Sequence, residues 1–216
     1  MNIILRPFQK DDIPALESII RKTWKYDELC SPKTAALLAK VFLSSCLTNY
    51  TFSQVAVLGN RPVGILLGNY KPEHHCPFVC RFRQATALIQ LYLHKEGRKT
   101  MKIFQSVSGM DKKLLEETHK TYPAELALFA VDPVCRGKGV GKQLFQKFLC
   151  YMQKKKADSF YLYTDTSCNY GFYEHQGMTR RGEQKKTFLI EGQKADMCFF
   201  LYDFQMTEDA VKTPAI

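Results

Sequence analysis

Between Val131 and Lys142 the chain reads Val-Asp-Pro-Val-Cys-Arg-Gly-Lys-Gly-Val-Gly-Lys, with Gly137, Gly139 and Gly141 on alternate positions. Without a Cβ to hold the backbone back, successive N–H groups can point into one concavity and approach a ligand closely. A helix starting here adds the partial positive charge of its N-terminus. Arg136, Lys138 and Lys142 add full charges. This combination suits a doubly charged anion such as a pyrophosphate. Two phosphate motifs fit poorly. A P-loop needs Gly-Lys followed by Ser or Thr, but Gly141-Lys142 precedes Gln143. A dinucleotide fingerprint needs G-x-G-x-x-G directly after its strand; here G-x-G-x-G follows the linker Asp132 to Arg136. A glycine turn with no ligand is the bland alternative.

Other chemistry-bearing residues carry weaker signals. His74, His75, Cys76 and Cys80 are metal-ligand types, but Cys-x3-Cys without a second paired cluster is a poor zinc signature. That stretch reads as a loop entering a helix, and no metal is expected. Eight cysteines sit mostly in apolar surroundings, as in Leu43 to Leu47 or Phe148 to Tyr151. They read as small buried hydrophobes in a reducing compartment, not as a disulfide framework. Lys154 to Lys156 reads as the solvated C-terminal end of a helix, where cations suit the dipole.

The elements that would position these residues can be placed from hydrophobic spacing. Ile3 to Arg6 reads as a strand. Asp11 or Asp12 then caps a helix with Pro14 in its first turn and Ile13, Leu16, Ile20 and Trp24 at helical spacing. Ser31-Pro32 opens a second helix, with Leu37, Leu38, Val41 and Phe42, lasting to about Leu47. Ser53 to Leu58 and Val63 to Tyr70 form a hairpin around the turn Gly59 to Pro62, and Gly64 and Gly68 permit close backbone approach. Phe78, Phe82, Ala85, Ile89 and Leu93 keep helical spacing, so residues 71–122 read as a helical insertion too thinly apolar to hold its own core. Glu125 to Val131 is a strand, Gly139 to Gln153 a helix, and Phe160 to Thr164 another strand. A short helix, Tyr170 to His175, stops at Gly177. Strands near Thr179 to Ile190 and Ala195 to Phe204 flank Glu191-Gly192-Gln193. The expectation is an α/β (α+β mixed) fold: a central mixed, mostly antiparallel sheet of about seven strands flanked by helices. One domain would span 1–204, with a polar, loose tail over 205–216.

With these residues in view, the sequence resembles the GNAT superfamily of acyl-CoA-dependent N-acyltransferases. Its pattern of Arg or Gln, two residues, Gly, any residue, then Gly or Ala is met by Arg136 to Gly141. The resemblance resumes from Tyr163 to Met178, where Asn169 and the Phe172-Tyr173 pair stand as the family's often do. It covers about three quarters of the chain, with specific motifs from Glu125 to Met178. The 71–122 insertion departs from the minimal pattern.

The resemblance implies acetyl-CoA as co-substrate and an amine of a small molecule or peptide as acceptor. Phe129, Ala130 and Val131 would pair their backbone with the pantetheine arm. Arg136, Gly137, Lys138, Gly139, Val140, Gly141 and Lys142 would cradle the pyrophosphate, and Asn169 would lie near the arm. The strands at 125–131 and 159–164 would splay to admit the thioester. A lysine-like amine has a pKa of about 10.4, so a base must take a proton. Glu125 is the first choice. Asp165 is the alternative base, or caps the next helix. Tyr173 stands where the family's general-acid tyrosine stands and would protonate the departing thiolate; four residues after Asn169, it would share a helix face with it. No Ser-His-Asp order or cysteine nucleophile stands out, which favours direct transfer over a covalent enzyme intermediate. A non-catalytic acyl-CoA-binding or sensing module is the alternative.

Composition sets the outer limits. The 216 residues are 45% hydrophobic and 24% charged, which fits a packed core and excludes a disordered chain. No apolar run reaches the roughly 18 residues of a membrane helix, and the N-terminus is too short for a signal peptide. A cytoplasmic protein with no membrane partner is expected. The net charge of +10 raises the question of a nucleic-acid partner, but no such motif is present and none is expected. A homodimer is left open.

Overall fold

A computed structural model describes residues 3–190 and 193–207. Its strands are β1 (Ile3–Arg6), β2 (Phe52–Leu58), β3 (Arg61–Tyr70), β4 (Ala124–Val131), β5 (Ser159–Asp165), β6 (Thr179–Ile190) and β7 (Gln193–Gln205). The helices are α1 (Ile13–Thr23), α2 (Pro32–Cys46), α3 (Phe78–Tyr92), α4 (Lys95–Glu117), α5 (Val140–Lys154) and α6 (Gly171–His175). The strands form one sheet in the order β1-β2-β3-β4-β5-β7-β6. Every pairing is antiparallel except β4 with β5. The expected seven-stranded, mostly antiparallel α/β architecture is present.

Two irregularities in the sheet matter for the site. In the β3–β4 register Leu67 opposes Leu128 while Gly68 opposes Leu126, so Ala127 is an extra residue in β4. Such a bulge bends its strand and reverses which face the side chains take. Ala124 and Leu126 accordingly join the α5 core, whereas Leu128 and Ala130 join the core under α1 and α2. Beyond the bulge, Phe129 and Val131 pack toward α5. The second irregularity is a parting. β4 and β5 pair only at Ala124 with Phe160 and Glu125 with Tyr161, and then diverge.

Helix α5 packs tightly over β3. A Cβ on Gly68 would fall 2.1 Å from the Phe148 ring, so glycine is what allows that approach. The insertion forms α3 and α4. Helix α4 covers β5 to β7 through Leu114, which joins Tyr161, Phe199 and Leu201 in a third core cluster. Two polar anchors hold the insertion. Glu96 of α4 accepts from the Ser31 N–H at 2.8 Å and from the hydroxyls of Ser31 and Thr34 at the start of α2. Buried Asp203 of β7 accepts from Lys120, Tyr122 and Arg181 at 2.9, 3.0 and 2.8 Å.

Several local expectations need correction. The β2–β3 turn is only Gly59-Asn60, both at positive φ, the two-residue form that matches strand twist, so Arg61 and Pro62 belong to β3. Neither Asp12 nor Ser31 caps its helix through its side chain. The Asp12 carboxylate instead takes both Arg6 guanidinium nitrogens, at 2.8 and 2.6 Å. The spacing of Phe78, Phe82, Ile89 and Leu93 is helical as expected, yet all four are exposed; α3 buries Ala87 and Leu91 instead. The last two strands meet around 191–192, which lie outside the described residues. Gln205 ends β7 rather than beginning the tail, whose remainder from 208 onward also lies outside them.

Candidate active site

The parting of β4 from β5 opens a cavity of about 1610 Å³. Helix α4, the facing sides of α1 and α2, the glycine turn and the β5–α6 segment line it. Ligand pockets commonly hold about 300–1,000 Å³, so this one has room for two ligands side by side.

One rim is the glycine turn. Buried Asp132 ends β4 and accepts the Val134 N–H at 3.2 Å, turning the chain into the short linker ahead of Arg136. Gly137 and Gly139 come next, at φ +73° and +76°, a left-handed backbone that a Cβ strongly disfavours. Helix α5 then begins at Val140, and its first N–H groups are free of intrahelical partners. Gly141 differs from the other two. A Cβ there would meet Phe129 and Phe172 at 3.5 and 3.6 Å, ordinary contact, so the protein's own packing does not demand glycine. Arg136, Gly137, Gly139, Val140, Gly141 and Lys142 line the cavity. Lys138 does not: its ammonium turns back to the Val134 carbonyl at 2.9 Å.

The second wall is β4. From Leu126 onward its edge toward β5 has no strand partner, leaving backbone groups of the stretch holding Phe129, Ala130 and Val131 open to the cavity. Glu125 stands at the closed end of the wedge. Its Oε2 accepts from Asn49 Nδ2 at 3.0 Å, and Asn49 in turn accepts from Asn69 at 2.6 Å. These two amides fix the carboxylate's direction.

The third wall is β5 together with the loop that joins it to α6. Asp165 braces its own turn, accepting the Ser167 N–H at 2.7 Å and the Ser167 hydroxyl. It does not cap α6, whose N-cap is Tyr170. Burial raises the Asp165 carboxyl above its ordinary range. Asn169 precedes α6 rather than lying on it, so it shares no helix face with Tyr173, but both line the cavity. The Tyr173 ring is held among Phe129, Phe172 and Tyr202. Tyr202 is itself fixed by Arg180 at 2.9 Å and Glu174 at 2.7 Å. Burial, and then the charges of Cys168 and Asp165, raises the Tyr173 phenol well above 10. It therefore stays protonated at neutral pH and is available as a donor. The neighbouring Cys168 thiol is pushed up to about 11, chiefly by burial. A thiol so seldom ionised is a poor nucleophile.

One site residue has no counterpart in the motif-based reading. Asp111 of α4 lines the same cavity, half-buried, and its carboxyl is raised to about 7 by burial, then by the charges of Asp165 and Glu125. A signal did exist. Val107, Asp111 and Leu115 are four residues apart on α4, so a lone carboxylate interrupts an inward-facing stripe. Tyr163 also lines the cavity.

Among the described residues no group of three or more His, Cys, Asp or Glu is placed to hold a metal ion, and no helix is long and apolar enough to cross a membrane. His74 meets the Thr48 carbonyl at 2.8 Å, and Lys155 pairs with Glu73 at 2.5 Å.

Known proteins share both the motif region and the fold. Residues 112–178 match the family model described as the acetyltransferase (GNAT) family. No curated protein matches the sequence. An N-acetyltransferase from Staphylococcus aureus Mu50 is similar in structure, with 16% identity and a TM-score of 0.54, over 95% of this chain and 99% of that one. The ribosomal-protein-S18-alanine N-acetyltransferase from Escherichia coli is similar at 12% identity and TM-score 0.51, over 96% and 97%. A NatC complex bound to Gag peptide and CoA contains a chain similar at 16% identity and TM-score 0.50, over 96% and 100%. At these identities the likeness is one of fold.

Proposed function

We propose, from the match of residues 112–178 to the acetyltransferase (GNAT) family and the shared fold, that the chain is a GNAT enzyme that transfers an acetyl group from acetyl-CoA directly to an amine held in the same cavity. The observation that carries this reading is one of continuity. The unpaired edge of β4 runs straight into a turn whose two left-handed glycines deliver it to the N-terminus of α5. An extended arm can add to that edge as a strand would, with its anionic end on the free N–H groups beyond.

The fit of coenzyme A rests on three features. The 137–141 backbone is unobstructed at Gly137 and Gly139. Arg136 and Lys142 flank it. Gly141, which packing alone does not require, keeps the backbone bare where a phosphate would approach. Acetyl-CoA supplies a thioester whose sulfur leaves as a thiol when the amine nitrogen bonds to the acetyl carbon.

The chain's own residues then manage two protons. A carboxylate on the α4 side of the wedge, Glu125 first, accepts the proton that the amine must lose, directly or through water. Asp165, already engaged with Ser167, is the less available base. Tyr173 holds its proton at neutral pH and hydrogen-bonds the departing sulfur as charge builds there. Its phenol is a weaker acid than a thiol of about 8.5, so a proton passed to the sulfur must be replaced at once from solvent or from the proton the amine releases. The raised pKa of Cys168 supports transfer without a covalent enzyme intermediate.

The test is release of free thiol from acetyl-CoA in the presence of an amine library, with the product identified by mass. Amine-dependent thiol release with an acetylated amine supports the proposal. Tight binding of acetyl-CoA with no acetylated product from any amine would leave the same edge and turn serving a non-catalytic binding module.

A further inference from the structure

We propose that the outward face of α3 is a docking surface for an anionic lipid bilayer, on which the helix lies in the plane of the headgroups. This face takes no part in acetyl transfer, so the two proposals stand or fall separately.

Of the eight exposed large hydrophobic residues among the described ones, six belong to α3 or its C-terminal end. Phe78, Val79, Phe82, Ile89, Tyr92 and Leu93 are between 59% and 80% exposed. Phe78, Phe82, Ala85, Ile89 and Leu93 recur every three or four residues, so they form one stripe along the helix. The opposite side carries buried Ala87 and Leu91, and Leu91 joins the core under α1 and α2. Helix α3 is thus apolar on both sides, whereas a surface helix turns polar residues outward. Single apolar residues on a surface need no explanation, but a continuous patch marks an interaction site.

Charge identifies the partner. Between Glu73 and Glu96 the sequence holds no Asp or Glu, but it does hold Arg81, Arg83 and Lys95. Glu73 is paired with Lys155, and Glu96 is engaged by Ser31 and Thr34. Arg83 is taken up by Glu17 at 2.9 Å. Exposed Arg81 and Lys95 have no ion pair or hydrogen bond among the described residues. The Arg98 guanidinium lies 5.9 Å from the centre of the Tyr92 ring, at the far end of the stripe.

Arg81 falls at one edge of the stripe, and Lys95 and Arg98 follow its end. Long cationic side chains placed so can reach phosphate headgroups while the apolar residues enter the acyl boundary. The amphipathic ring of Tyr92 suits the same depth. A fluid surface also accepts a protruding helix without a matching groove. A second copy of the chain fits less well. An isologous pair of α3 faces would set these cations against their own copies, with no acid in the segment to meet them. The expectation of no membrane partner rests on the lack of a spanning run, and a helix lying in the interface needs none.

The test is co-sedimentation of the full chain with vesicles of phosphatidylcholine alone, and of equal parts phosphatidylcholine and phosphatidylglycerol. Binding to the anionic vesicles is expected to be at least about tenfold tighter and to weaken as salt is added. Phe82→Ser combined with Ile89→Ser, both at exposed positions outside the cavity, should lose most of that binding and keep its Tm. Phe82→Trp should keep binding, and its emission should shift to the blue on anionic vesicles. Wild-type protein that does not bind anionic vesicles would overturn the proposal. So would binding that survives the double serine variant, since it would then belong to the net charge of +10 alone. Phe82→Trp emission that stays unchanged on vesicles carrying the protein would overturn it as well. A wild-type dimer in sedimentation velocity that the serine variant dissolves would give the face to a second copy instead.

Discussion

Replacing Asp111 by asparagine is expected to stabilise the protein at neutral and alkaline pH. The Asp111 carboxyl is displaced from its ordinary 3.8 to about 7, by burial first and then by Asp165 and Glu125. In the unfolded chain it ionises near its ordinary value. Between the two values the folded state therefore binds more protons than the unfolded state, and stability falls as pH rises through that window. Below about pH 4 the carboxyl is neutral in both states and costs nothing. Above about pH 7 the full cost of the buried charge is present. At about 1.36 kcal/mol for each tenfold change in acidity, the upper bound is about 4 kcal/mol. Water in the cavity raises the effective dielectric and reduces this to about 2 kcal/mol. For a chain of this length each kcal/mol moves Tm by about 2–4 °C, so Asp111→Asn should melt about 4–8 °C above the wild type near pH 8. The assay is thermal unfolding of both proteins, without amine, across the pH range. Their difference should grow between about pH 4 and pH 7 and then level off. A variant that is less stable than the wild type near pH 8 would refute the reasoning, because it would mean that the Asp111 carboxylate is satisfied within the protein.

The same geometry has other consequences. Gly139→Ala forces a Cβ into a left-handed backbone and should cost about 1–2 kcal/mol of stability as well as coenzyme affinity. Gly141→Ala, whose Cβ would find only ordinary contacts, should keep its Tm and lose CoA affinity, as calorimetry would show. Tyr173→Phe should lower kcat by about 100-fold or more, with CoA affinity nearly kept; an unchanged rate removes Tyr173 from the mechanism. Glu96 has its carboxyl lowered to about 2 by the Ser31 and Thr34 hydroxyls and the Ser31 N–H. Its contribution is present above its ordinary value of 4.5 and is lost as pH falls toward about 2, so Glu96→Gln should lower Tm at neutral pH and converge with the wild type in strong acid.

How much of this was readable in the sequence depends on the range of the interactions involved. The glycine turn was readable because the requirement is local: Gly137 and Gly139 adopt positive φ, and only glycine does so at little cost. Strand and helix limits were readable to within a few residues from side-chain period. The bulge at Ala127 was not. Ala-Glu-Leu-Ala-Leu-Phe-Ala-Val alternates like a plain strand, yet Leu126 and Leu128 face opposite cores because β4 must match β3 on one side and leave β5 on the other. Helix α3 shows the opposite failure. Its apolar spacing is genuine but does not say which side faces the protein, and Phe78, Phe82, Ile89 and Leu93 face outward. Asp111 escaped notice because its place in the site depends on α4 docking over β5 to β7 through Leu114, a contact between segments remote in sequence. Family resemblance pointed to Tyr173, Glu125 and Asn169, and the structure brings all three to one cavity.

The net charge of +10 also takes a definite shape. Arg136 and Lys142 stand at the rim where a pyrophosphate would lie, while the interior beyond β4 is acidic. Basic groups thus stand at the glycine-turn rim, where the proposed coenzyme's anionic end would lie, and the carboxylates of Asp111, Glu125 and Asp165 stand deeper in the cavity.

Acetyl transfer from coenzyme to amine in that cavity is tested most directly by single-vessel product analysis. Wild-type protein, acetyl-CoA and primary amines are incubated together, and free thiol and acetylated amine are quantified at the same time points. Direct transfer predicts equal amounts of the two products, both abolished when the amine is omitted. Saturable acetyl-CoA binding with no acetylated amine, or thiol release that does not depend on the amine, would contradict it.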